Sequence, residues 1–271
     1  MTGLVSAFRR PRLGVLALAV AAMLAACSEK KEEYVERPVE ELYNEAMDLL
    51  DKDEYMKASK AFEEVERQHP YSVWATKAQL MAAYALYERN KYDDAIIQLD
   101  RFIQLHPGNK DTAYAYYLKG LCYYEQITDV QRDQKMSEQA MKSLQEVIDR
   151  FPASSYAKDA RLKVDLARDH LAGKEMAIGR YYQSKGQWLA ALNRFKAVVD
   201  NFQTTTHVPE ALHRMVEIYL TIGLDDEAKR TAAVLGHNFP GSDWYEDSFA
   251  MIKTGRAANA KGESSGWLGL W

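Results

Sequence analysis

The chain reads as an all-α protein, an α-solenoid of about five stacked helix pairs. Three observations predict this. Four times an alanine is followed twelve residues later by a proline: Ala58 and Pro70, Ala95 and Pro107, Ala140 and Pro152, Ala228 and Pro240. Four residues after each alanine stands Phe62, Leu99, Leu144 or Ala232, and a fifth copy keeps Ala191 and Phe195 but carries Gln203 in the proline's place. Between these segments the apolar residues recur at helical spacing, as in Leu80, Ala83, Tyr84 and Tyr87. A fixed period of this kind marks helix pairs that bury their apolar faces against their neighbours.

Taken in order, residues 1–26 carry Arg9, Arg10 and Arg12 ahead of an uncharged apolar run, Leu13 to Ala26. This is the layout of an export signal. The run has 14 residues, short of the roughly 20 that a membrane-spanning helix needs. It ends Leu24-Ala25-Ala26-Cys27. Those four residues resemble the lipobox of bacterial lipoproteins. The resemblance implies cleavage before Cys27 and covalent lipid on that cysteine, with no other cofactor. Several acyl chains hold a bilayer far more firmly than one. Ser28 stands where lipoproteins kept in the inner membrane typically carry Asp, so the resemblance implies the outer membrane. Residues 27–38 then form a charged tether expected to be flexible, closed by Pro38.

The body, residues 39–253, is expected to be the solenoid, with repeats at about 39–72, 76–109, 113–154, 155–205 and 209–242. In the second repeat, the face of Leu80, Ala83, Tyr84 and Tyr87 is followed by a break at Asn90-Lys91-Tyr92. A second face follows, on Ala95, Leu99, Phe102 and Ile103, and it stops at His106-Pro107. Proline lacks the amide hydrogen and disfavours helix in the residue before it. Small residues recur where two helices would cross, at Ala46, Ala83, Gly120 and Gly179, with Leu49, Leu86, Tyr123 and Tyr182 three residues on. The fifth copy has Val216 and Tyr219 there. This pattern resembles the tetratricopeptide repeat (TPR). The third repeat carries about eight extra polar residues around Thr128 to Gln134, expected to form a loop. The fourth has a long first helix, about Ser155 to Lys185, containing Gly173, where a kink or break is possible because glycine costs about 1 kcal/mol in a helix. Charges along it, such as Lys158, Asp159, Arg161 and Lys163, read as a solvated face. Residues 254–271 form a tail, rich in Gly, Ala and Ser before it ends Trp267-Leu268-Gly269-Leu270-Trp271. That end is either inert or a docking peptide for a partner groove.

Composition narrows the function classes. Apolar residues at 47% suffice for a core, and the formal net charge of −4 already includes the three amino-terminal arginines. A chain this acidic beyond its leader is a poor nucleic-acid binder. Cys122 lies mid-helix without a neighbouring His or Cys and reads as a small buried apolar residue. Glu210 and His213 have an E-x-x-H spacing, but di-iron sites need two such motifs and further glutamates. No phosphate loop, G-x-S-x-G or C-x-x-C is present. The chain reads as a binding protein and not an enzyme.

Longer stretches then resemble one family. His69-Pro70-Tyr71-Ser72 with Ala78-Gln79-Leu80, Leu99-Asp100-Arg101-Phe102-Ile103 with His106-Pro107, Tyr116-Tyr117-Leu118-Lys119-Gly120-Leu121, and Gly179, Tyr181-Tyr182, Ala190-Ala191, Asn193-Arg194 together look like the BamD (ComL-type) lipoproteins of the outer-membrane β-barrel assembly machinery. That resemblance implies a scaffold facing the periplasm. It would bind the periplasmic domains of BamA through its carboxy-terminal repeats, and the resemblance leaves open which other Bam lipoproteins accompany it. Its amino-terminal repeats would hold the carboxy-terminal signal of unfolded β-barrel proteins. Such signals are extended and aromatic-ended, which points to Tyr71, Trp74, Tyr84 and Tyr87. Tyr71 and Trp74, near a turn, are preferred, because Tyr84 and Tyr87 serve repeat packing equally well. For the BamA contact the resemblance points to Arg194, with Lys196 beside it; a guanidinium pairs bidentately with a carboxylate. Arg194 reads otherwise as a surface arginine. Another periplasmic TPR adaptor, a pilotin or a peptidoglycan-hydrolase adaptor, is the alternative.

Overall fold

The structure, a computed structural model, describes residues 36–129 and 134–254. Cys27, the leader, most of the tether and the Trp267–Trp271 segment lie outside the described residues. Within them are eleven helices and no strand: α1 (Val39–Asp51), α2 (Tyr55–Gln68), α3 (Val73–Glu88), α4 (Tyr92–Leu105), α5 (Thr112–Tyr124), α6 (Lys135–Arg150), α7 (Ser155–Ser184), α8 (Trp188–Asn201), α9 (Val208–Thr221), α10 (Asp225–Asn238) and α11 (Asp243–Thr254). Each helix packs on the next, and α1 on α3, α3 on α5, α5 on α7, and α9 on α11. No pair of second helices packs to that degree. The first helices of the pairs therefore sit on the inner side of the stack.

The repeated alanines explain the close packing. Ala58, Ala95, Ala140, Ala191 and Ala228 are all fully buried, as are Phe62, Leu99, Leu144 and Phe195 one turn on. The small residues of the first helices face those larger ones. A Cβ added to Gly120 would lie 2.5 Å from Leu144 Cδ2, and one added to Gly179 would lie 2.5 Å from Phe195 Cε1. The glycines are there because another helix's side chain fills the space where a Cβ would be.

The turns inside the pairs share one geometry. Asp53, Asn90, Gly186 and Gly223 have positive φ. The amide after each reaches back to the carbonyl of Leu49, Leu86, Tyr182 or Tyr219 at 2.8–3.0 Å. These are Schellman turns, which satisfy the last carbonyls of the helix. Their acceptors are the larger residues of the small-large pattern, so one position both fills the groove and anchors the turn. The third pair replaces this turn with the inserted segment between Tyr124 and Lys135.

The second helices also end alike. His69, His106, Phe151, Phe202 and Phe239 have φ between −127° and −135° and ψ between 44° and 58°. Phe202 does so although Gln203, not proline, follows it. Its ring packs on the carboxy-terminal core, so burial of the cap side chain holds the conformation without help from a proline ring. Beyond three of the prolines stands a serine, Ser72, Ser154 or Ser242, whose Oγ accepts from the amide three residues on at 3.1–3.2 Å. Such a cap contributes about 1 kcal/mol. Ser154→Ala is expected to cost that amount, read as a lower denaturation midpoint with an unchanged slope.

Two expectations need correction, on the break at Gly173 and on the solvated face of α7. The 30-residue α7 runs unbroken through the buried Gly173, because α6 and α8 pack along it and hold it against the local propensity. Asp159 and Lys163 on α7 do not belong to a fully solvated face. Asp159 accepts from the Tyr117 hydroxyl, and Lys163 Nζ sits 4.8 Å from the Tyr124 ring centre. Beyond the fifth pair, α11 is a separate helix that covers α9 and α10 and buries Ser248 and Met251.

Candidate functional site

The aromatics of the amino-terminal half divide into three situations. Tyr71, in the turn between α2 and α3, is fully exposed. Trp74 is half-buried; its ring lies 4.8 Å from Tyr43 of α1, with Lys77 Nζ at 5.2 Å over its face. That makes Trp74 a packing residue of the first repeat, unlike the fully exposed Tyr71 it was ranked beside. Tyr84 and Tyr87, one turn apart on α3, are half-buried at the junction of the first three repeats.

The structure adds residues that single-helix reading missed. Tyr114 and Tyr117 on α5 and Tyr156 on α7 are half-buried and close together. The Tyr114 and Tyr156 ring centres are 5.4 Å apart, and Tyr117 stacks on Tyr156 at 5.3 Å and 28°. Tyr114 also lies within electrostatic reach of Tyr84, Tyr87 and Glu88, and Tyr117 within reach of Tyr87 and Asp159. Tyr84, Tyr87, Tyr114, Tyr117 and Tyr156 therefore form one belt across three consecutive first helices. Burial, followed by nearby carboxylates such as Glu125, pushes the Tyr87 hydroxyl up to about 12. Burial likewise raises Tyr84, Tyr114 and Tyr117. All four stay protonated at neutral pH and can offer hydrogen-bond donors beside flat apolar faces. The i, i+3 spacing of Tyr114 and Tyr117 repeats that of Tyr84 and Tyr87 and was the available signal. Tyr71 stands apart from this belt.

At the other end, Arg194 on α8 is not free. Its Nη1 donates to the two carboxylate oxygens of Glu175 on α7 at 3.1 and 3.4 Å. The pair lies in a cleft of about 310 Å³ with Tyr182, Ala190, Asn193 and Ala197. Lys196 is exposed. Two residues apart on a helix do not share a face, so the structure does not bring Arg194 and Lys196 together.

Glu210 and His213 do not form a metal site either. Glu210 pairs with Arg180 at 2.9 Å. The buried His213 places Nδ1 2.8 Å from Ser248 Oγ and Nε2 3.6 Å from Glu217 Oε1. Glu217 also accepts from Gln183 at 3.0 Å and Arg214 at 2.8 Å. Burial alone would raise the Glu217 carboxyl, but the hydrogen bond to His213 and the charge and hydrogen bond of Arg214 overcome it and hold the group at about 2. This network ties α7, α9 and α11 together. Cys122 is buried, and burial pushes its thiol up to about 12, which makes it unreactive. No cluster of metal-binding side chains occurs among the described residues.

A stack of helix pairs of this kind defines an α-solenoid of the TPR class. The YfiO family, described as an outer membrane lipoprotein, matches residues 35–235. The chain is 54% identical to the outer membrane protein assembly factor BamD of Caulobacter vibrioides, covering 90% of this chain and 81% of that one. It is 47% identical to BamD of Rickettsia prowazekii, covering 87% and 94%. Among solved structures it is similar to a thermophilic TPR protein of Thermus thermophilus, at 18% identity, 80% and 98% coverage and a TM-score of 0.37. The chain belongs to the BamD family of outer membrane lipoproteins.

Proposed function

We propose that this chain is an assembly factor for outer membrane β-barrel proteins. In this reading it is anchored through lipid on Cys27, faces the periplasm and acts as a scaffold without catalysis. The observation that carries the reading is the 54% identity to a BamD that extends over nine-tenths of the chain. The carboxy-terminal repeats would hold the periplasmic domains of BamA, using the cleft of Arg194 and Glu175. Arg194, already paired with Glu175, would add a partner carboxylate or exchange one for the other. Lys196 would contribute only long-range charge. The belt of Tyr84, Tyr87, Tyr114, Tyr117 and Tyr156, with Tyr71 and the partly exposed Trp74 as outlying contacts, would receive the extended, aromatic-ended signal of an unfolded barrel. Aromatic anchors beside neutral hydroxyls suit a strand-like peptide. Nothing in the comparisons favours a pilotin or a peptidoglycan-hydrolase adaptor.

The test is a mild-detergent pull-down of the tagged lipoprotein from membranes. BamA, with any accompanying Bam lipoproteins, is expected in the eluate. Arg194→Ala is expected to cut BamA recovery about tenfold, the size of a modest hot spot, while Lys196→Ala changes it little. Cys27→Ala is expected to release the chain from membranes while leaving the contact with solubilised BamA. Recovery from membranes without BamA would overturn the reading.

A further inference from the structure

A shallow groove of about 500 Å³ opens at the edge of the carboxy-terminal repeats, lined by Gln187, Trp188, Leu189, Ala190 and Ile222. Its walls are almost wholly apolar, and Leu189 is 71% exposed there. We propose that Trp267-Leu268-Gly269-Leu270-Trp271 of the same chain docks in this groove.

The topology places the two within reach. Short turns make successive helices antiparallel, so the first helices α7, α9 and α11 all run the same way. Their carboxy-terminal ends therefore share one edge of the stack. The groove is on that edge, between the turn after α7 and Ile222, which directly follows α9. α11 packs directly on α9 and ends at Thr254 on the same side. Packed helices lie about 8–10 Å apart, so the groove is roughly one to two helix spacings from Thr254. The twelve residues from Gly255 to Gly266 can span at most roughly 40 Å, which is more than enough. A short tether also holds its peptide at an effective concentration of order millimolar. That favours the chain's own segment over a second copy.

The chemistry matches. Four of the five residues of the segment are large and apolar, and none is charged. The groove offers an indole, a leucine and an isoleucine with hardly any polar surface. The residues between carry Arg256, Lys261 and Glu263, which suit the solvated path between the two. Ala190 lines both this groove and the Arg194 cleft, so the docked segment would border the surface assigned to the partner.

The test places a photo-reactive phenylalanine analogue at Leu189 in the full chain, purified in detergent, and maps the cross-link by mass spectrometry. Val234 on α10, also exposed, serves as the control position. The expected result is a cross-link within one chain from position 189 to residues 267–271, and none from position 234. The yield should fall at least about tenfold in the Trp267→Ala, Trp271→Ala variant, whose melting temperature should match that of the parent. No cross-link to the tail, or equal yield from both positions, overturns the proposal. So does a cross-link that joins two chains or captures another protein.

Discussion

Glu217→Gln is expected to destabilise the carboxy-terminal repeats by about 3 kcal/mol at neutral pH. That is the free energy of holding the carboxyl at about 2 against its ordinary 4.5. The carboxylate collects His213, Arg214 and Gln183, which lie on two helices, and His213 carries the connection on to Ser248 of α11. Glutamine keeps the shape but loses the charge that offsets the half-buried Arg214. The pH dependence has a definite sign. The folded value is depressed, so the stabilisation is fully present above about 4.5 and is lost as pH falls towards 2. Urea midpoints across that window should fall steeply for the parent protein and less steeply for the variant. Parallel slopes in the two proteins would rule out the assigned role of Glu217.

Gly179→Val is expected to cost about 3 kcal/mol, near the upper end for overpacking a core. A Cβ there would meet three Phe195 ring atoms at 2.5 to 2.9 Å. That ring is fully buried among Met176, Ala191, Val198, Leu212 and their neighbours, so it has nowhere to move. Gly179→Ala should fall between the two, because the gain of about 1 kcal/mol in helix propensity offsets part of the clash. Gly108 is the control. Nothing lies within 4 Å of a Cβ built there, and Gly108→Val should leave the midpoint nearly unchanged. Equal losses at both positions would show that backbone freedom, and not the Phe195 contact, explains the glycine at position 179.

The helix pairs were legible because burial in a solenoid is local. Ala191 and Phe195 meet α7 and α9, their neighbours in the chain, so a period in sequence maps directly onto a period in space. The clash partners of Gly120 and Gly179 were readable for the same reason, as the larger residues of the repeat's second helix. The turns were only half legible. Gly186 and Gly223 advertise positive φ, but Asp53 and Asn90 adopt it as well, since short polar side chains tolerate that region. The proline signal misled in one respect: Phe202 keeps the shared cap geometry without it.

The candidate surfaces were less legible. Tyr84 and Tyr87 could be singled out on one helix, but Tyr114, Tyr117 and Tyr156 matter only because α3, α5 and α7 stack side by side. Trp74 reads as a turn residue in sequence, yet Tyr43, 31 positions earlier, packs against its ring. Arg194 and Lys196 look like neighbours on paper, and helical rotation separates them.

The amino-acid sequence by itself determined that this is a repeat of helix pairs, where each helix lies and which small residues sit at the crossings. These depend on spacing along the chain, and a helix converts spacing directly into a face. Only the tertiary structure decided which side chains meet across repeats: the tyrosine belt, the Arg194–Glu175 pair, the Glu217 network and the groove beside Leu189. Each of these joins residues on different helices. Their distances follow from how the helices pack, which no single helical period contains.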